Sequence, residues 1–139
     1  MFLQIIVFNE IGDYSLLGAD TGGTSASVSG LLTVTDLTPG TYGTASAMLN
    51  VLPVPPYTLP GDTAGEFTGI EVIDLSGKNI TRVMINFNNI LQTTSEPGTT
   101  AFIEKKVVGT SLEVFVPEPA TLALLALGGV GLLARRRRR

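Results

Sequence analysis

The sequence predicts an all-β body, an antiparallel sandwich or a related fold, followed by one short apolar C-terminal helix. Apolar and polar residues alternate along segment after segment of the first 115 residues. Gly, Pro, Asn and Ser clusters separate those segments as turns. No amphipathic stretch of helical period competes before residue 120. The chain therefore divides into a β-rich body, 1–115, and a tail, 116–139.

Met1 to Phe8, MFLQIIVF, reads as a strand, rich in β-branched and aromatic residues and ended by Asn9-Glu10. Residues 11–27 are weakly patterned and read as loop with one short strand. Val28 to Leu37 alternates Leu32 and Val34 with Thr33 and Thr35, then stops at Thr38-Pro39-Gly40. Thr41 to Leu52 is a further strand candidate. Pro53 to Gly61, PVPPYTLPG, has too many prolines for a strand interior and reads as a stiff exposed loop. In Phe67 to Leu75, Ile70 and Val72 lie on one face and Ile73 and Leu75 on the other, which suggests a bulge or burial on both sides. Asn79 to Leu91 sets Val83, Ile85 and Phe87 against Arg82, Asn86 and Asn88. Ala101 to Val108 and Ser111 to Val116 read as a closing hairpin through Gly109-Thr110.

Charge separates body from tail. The chain carries nine Lys and Arg, and five of them are Arg135 to Arg139. Residues 1–134 hold the other four against twelve Asp and Glu, a net of -8. A body this acidic repels phosphate backbones, which argues against nucleic acid as a partner. With no Cys and no His, disulfides, thiolate chemistry, imidazole metal sites and the common catalytic triads are excluded.

The tail begins Val116-Pro117-Glu118-Pro119-Ala120-Thr121. Two prolines around a glutamate make a short, stiff, extended and accessible segment. Thr121 is a suitable helix N-cap. Leu122 to Ala134, LALLALGGVGLLA, is thirteen residues without a polar side chain, and its membrane-facing bulk is Leu122, Leu124, Leu125, Leu127, Val130, Leu132 and Leu133. Counted from Ala120, the helix is about 22 Å long, shorter than the roughly 30 Å hydrocarbon core of a bilayer. The flanks favour a membrane all the same. Arg135, Arg136, Arg137, Arg138 and Arg139 can snorkel to lengthen the span, and they complement the helix dipole. The positive-inside rule leaves them in the cytoplasm and the body across the membrane.

This order of Pro-Glu-Pro, apolar helix and terminal arginine cluster resembles the PEP-CTERM sorting signal, over about residues 116–139. The resemblance implies an exported protein of a Gram-negative bacterium, associated with exopolysaccharide and biofilm matrix. Its partner would be an exosortase, a membrane-embedded, cysteine-dependent transpeptidase-like enzyme. Pro117, Glu118 and Pro119 would be the recognition motif, the apolar run a transient inner-membrane anchor, and the arginines a cytoplasmic stop. No cofactor or metal is implied. The two ends of the chain are at odds, however. Met1 to Phe8 lacks the basic residues and the cleavage site of a signal peptide, and the first Lys or Arg is Lys78. The expectation is that the reading frame starts upstream and that the body lacks its first strands.

Within the body, Glu66, Glu71 and Asp74 are close in sequence, and paired carboxylates can hydrolyse glycosides. They are read here as charges on a solvated strand face. Asp13, Asp20, Asp36 and Asp62 lack the dense spacing of a calcium loop. Tyr14, Tyr42 and Tyr57 could stack on sugars but are read as structural, and the sequon Asn79-Ile80-Thr81 as chance. The favoured function is a non-enzymatic exported protein of the cell surface or matrix. The alternatives are a secreted polysaccharide-binding module or hydrolase using the same tail, and a permanently anchored protein.

Overall fold

The computed structural model describes residues 2–19, 23–38 and 43–117. Eight antiparallel strands form two sheets, and no helix occurs among the described residues: β1 Ile5–Leu17, β2 Ser25–Asp36, β3 Thr44–Met48, β4 Asn50–Leu52, β5 Tyr57–Thr58, β6 Ala64–Asp74, β7 Val83–Thr94 and β8 Thr100–Phe115. The first sheet runs β4-β6-β1-β8. The second is centred on β2, with β7 paired along one side and β3 and β5 on the other.

Period-two burial turns these strands into a sandwich. On β1 the residues Ile6, Phe8, Glu10, Tyr14 and Leu16 are buried. Opposite them, β2 contributes Ala26, Val28, Leu32 and Val34. The interior holds two apolar clusters. One gathers Ile6, Phe8, Leu32, Val34, Ile73, Leu75 and Ile80. The other gathers Tyr14, Leu16, Ala26, Val28, Val51, Tyr57, Leu59 and Phe67. Each draws on both sheets, so burial of apolar area holds the layers together.

Leu49 closes one side of the sandwich. β3 belongs to the second sheet and β4 to the first, and only Leu49 lies between them. Its N–H donates to the Gly30 carbonyl at 3.0 Å. A Cβ on Gly30 would lie 3.2 Å from the Leu49 side chain, and one on Gly69 2.6 Å from it. These two glycines, one per sheet, make room for the crossing chain.

Several expectations are corrected here. Residues 11–27 are mostly strand, because β1 runs on to Leu17 and β2 begins at Ser25. The glutamate taken as a terminator, Glu10, is tolerated in mid-strand because a lysine meets it. The candidate strand Thr41 to Leu52 is two strands in different sheets. The proline-rich stretch is anchored inward: Tyr57 and Leu59 are buried, and Tyr57 stacks on Tyr14 at 3.8 Å. In β6 the inward residues are Phe67, Glu71 and Ile73, with Leu75 buried just beyond; Ile70 and Val72 face outward, with no bulge in the β1–β6 register. The closing hairpin does not form. β8 is one continuous strand on β1, and Gly109-Thr110 belongs to a bulge where Asn9 faces Ser111 while Ile11 faces Lys106. The C-terminal helix expected over Leu122 to Ala134 lies outside the described residues.

Gly12 faces the interior, where an added Cβ would collide with the Phe67 ring and the Glu104 carbonyl. Gly12→Ala is expected to destabilise the chain by about 1–3 kcal/mol in denaturant titrations. Gly61→Ala, with only the Thr58 carbonyl at 3.7 Å, is expected to stay within about 0.5 kcal/mol.

Candidate functional site

Between the two apolar clusters the interior is polar. Glu10 of β1, Glu71 of β6, Asn89 of β7 and Lys105 of β8 all occupy inward positions of their strands. Register explains the grouping: Glu10 lies opposite Gly69 and Glu71 opposite Phe8, so the two carboxylates sit diagonally on adjacent strands. Gly12 is the register partner of Lys105 on β1, and the Phe67 ring packs where its side chain would be.

Glu10 accepts twice through one oxygen. Lys105 Nζ lies 2.7 Å from Glu10 Oε2, and Asn89 Nδ2 donates to the same atom at 2.6 Å. The Glu10 carboxylate has no solvent exposure, and Lys105 reaches it from a side chain still 26% exposed. The ammonium also sits 4.9 Å from the Phe8 ring centroid and 4.4 Å from that of Phe87, two rings themselves 4.0 Å apart. The aromatic faces thus add cation–π attraction to the ion pair and keep water from it.

Glu71 is the unbalanced member. It is 2% exposed, and neither carboxylate oxygen makes a hydrogen bond of ordinary geometry. Burial pushes its pKa up from 4.5 to about 7, and the Glu10 carboxylate adds to the rise. The Leu32 amide, off hydrogen-bonding geometry, and Lys105 offset part of it. One paired carboxylate beside one that titrates near neutrality has the form of an acid/base pair, but both are enclosed by the sandwich.

The residues singled out from sequence fall differently. Glu66, Glu71 and Asp74 do not form one set. Glu66 and Asp74 are exposed as expected, whereas Glu71 points inward, against the reading of a solvated face. Glu66 joins Asp13 around Lys106 on the outer face, at 2.9 and 2.8 Å, and the two carboxylates raise the lysine pKa. The Asp36 and Asp62 carboxylates accept from the Thr38 and Thr58 amides, 2.8 and 3.0 Å. Asp20 and Tyr42 lie outside the described residues. Among the described residues no group of three or more acidic side chains is placed to hold a metal ion. Tyr57 is structural, its hydroxyl donating to the Pro53 carbonyl at 3.0 Å. On the outer face of the first sheet, Asn9, Ile11, Asn50, Leu52, Thr68 and Ile70 line a groove of about 340 Å³.

Sequence reasoning missed Glu10, Asn89 and Lys105. The signal was present: Ala101, Ile103 and Lys105 share one parity of β8, and Ile6, Phe8 and Glu10 share one of β1. A charge in the apolar register of two strands marks a buried pair.

β8 ends at Phe115, where the second site begins. The pattern of the PEP-CTERM protein-sorting motif matches residues 115–139. The chain carries a PEP-CTERM sorting signal. The match is confined to this C-terminal segment and indicates a secreted protein targeted to an exosortase, crossing the membrane towards the cell surface or the medium. No curated protein and no solved structure matches the chain. Of the matched residues, Phe115, Val116 and Pro117 are among those described. Glu118, Pro119, the apolar run Leu122 to Ala134 and Arg135 to Arg139 lie outside them. No described helix is long and apolar enough to cross a membrane.

The Glu71 shift gives a signed expectation. Its folded pKa is raised, so the folded chain holds the proton more tightly than the unfolded chain. That contribution is fully present below about pH 4.5 and is lost as pH rises through about 7. Denaturant stability should therefore fall by on the order of 3 kcal/mol across that window, and Glu71→Gln should flatten the profile. Separately, Lys105→Ala strands the Glu10 carboxylate in the interior and should cost about 3–5 kcal/mol by the same assay.

Proposed function

We propose that this chain is a non-enzymatic structural or adhesive protein of the bacterial envelope or extracellular matrix, delivered by its C-terminal signal. In transit it is held in the inner membrane by Leu122 to Ala134, with Arg135 to Arg139 in the cytoplasm and the body outside. The exosortase then removes the anchor near Pro117, Glu118 and Pro119, and the sandwich joins the exopolysaccharide.

The observation that carries this reading is the motif match starting at the last residue of β8. Cleavage after Pro117 would leave all eight strands in place, as a removable signal requires. Two features of the body agree with a structural role. Its acidic pair is buried between the sheets, Glu10 1% and Glu71 2% exposed, as suits packing more than turnover. The outer face of the second sheet is uncharged and rich in hydroxyl and amide groups: Ser27, Thr33 and Thr35 of β2 stand beside Ser46 of β3 and Asn86 and Gln92 of β7. Such a face suits many weak hydrogen bonds to a neutral glycan rather than one tight site.

Intact-mass measurement of the protein from its native host tests the delivery claim. The mature species should lack Leu122 to Arg139. Triple substitution of Pro117, Glu118 and Pro119 by alanine should retain those residues. A mature surface protein that keeps Arg139 would sink the reading.

A further inference from the structure

The four lateral edges of the two sheets are not alike. An exposed strand edge offers unpaired N–H and C=O groups to any other strand, and proteins blunt such edges with short strands, prolines, charges or bulges. Three edges here are blunted. β3 has five residues, and β4 has three and runs into Pro53. β8 carries Glu104, Lys105, Lys106 and Glu113 and is interrupted by its bulge. β7 has none of these devices. It is twelve residues long, VMINFNNILQTT, without charge, proline or glycine, and its pairing with β2 is unbroken from Val83 to Thr94. Among the described residues no strand pairs with its other edge.

The interior beside β7 is also left incompletely covered. Leu112 and Val114 face inward opposite Phe8 and Ile6, yet they are 49% and 44% exposed. Val83, Ile85 and Phe87 face inward from β7 and are only half-buried. On the other flank, Leu49 closes the sandwich. The open mouth lies between β7 and β8.

We propose that the free edge of β7 pairs antiparallel with β7 of a second copy of this chain, joining the two copies of the second sheet into one. Charge favours a second copy. The acidic body repels its own kind over most of its surface, whereas self-pairing of β7 sets no like charges across the seam. A two-fold axis through Asn89 aligns Phe87 with Leu91 on the inner face and Asn88 with Ile90 on the outer face. The inference goes beyond the proposed function and does not rest on it.

Site-directed disulfides test the seam in the full-length chain in detergent. The native sequence has no cysteine, so every disulfide reports an engineered contact. Chains carrying Asn88→Cys and Ile90→Cys, mixed in equal amounts and mildly oxidised, should form a mixed dimer. It should form about tenfold faster than disulfides between Ser46→Cys chains, whose cysteine lies on the same face but on β3. Equal crosslinking through Ser46→Cys, or none through β7, overturns the proposal. Association through the apolar tail is separated by a second variant, Asn86→Lys with Asn88→Lys, both on the exposed face of β7. It should yield monomer in sedimentation while leaving the unfolding midpoint unchanged; a persistent dimer overturns the proposal.

Discussion

The interior of this sandwich is organised around one buried carboxylate that must be compensated. Glu10 lies on an inner strand of the first sheet, opposite Gly69 of β6 and level with the bulge of β8. Removing a carboxylate from water costs several kcal/mol, and only a close cation with further hydrogen bonds returns it. Lys105 and Asn89 do so from the two strands that end the opposite sheets, so the ion pair also ties β8 to β1 and reaches across to β7. The apolar core is divided by this belt into two clusters, each packed by residues from both layers. Glu71 has no comparable partner, and burial first, with the Glu10 charge second, raises its pKa.

Much of the architecture was legible because period-two patterning is local. Leu32 and Val34 on β2, and Val83, Ile85 and Phe87 on β7, point where alternation places them. What alternation cannot convey is the partner. Glu10 ended a strand in a reading that assumed charges belong in water, and only the arrival of Lys105, 95 positions along the chain, makes it an interior residue. The same non-local information decides β3 and β4, whose continuous sequence is split between two layers by Leu49. It also decides Gly109-Thr110, which looks like a hairpin turn but is absorbed as a bulge because β1 is long enough to pair with both halves of β8. The sorting signal was legible for the opposite reason. Its meaning lies in a linear order of short segments, read by another protein rather than by the fold.

Body and tail therefore answer to different constraints. The body is selected for packing and, Glu10 and Glu71 apart, carries its described acidic side chains away from the core. The tail is selected for recognition and membrane passage and contributes no described residue to either cluster. Their junction is abrupt: Phe115 is the last rung of a strand, and Pro117 can no longer donate a ladder hydrogen bond.

That junction has a mechanical consequence. Phe115 faces Ile5 across the sheet, and its carbonyl accepts from the Gln4 amide at 3.0 Å. The two ends of the described body thus leave the sandwich at the same pole. A pull between them would load the β1–β8 rungs one at a time, as in opening a zip, and would meet little resistance. A pull from the C-terminal end against the far pole, near Leu17 and Thr100, would load the whole ladder at once in shear. Held at its C-terminal end, the sandwich is thus mechanically strong when pulled from its distal pole and weak when pulled from its N-terminal end.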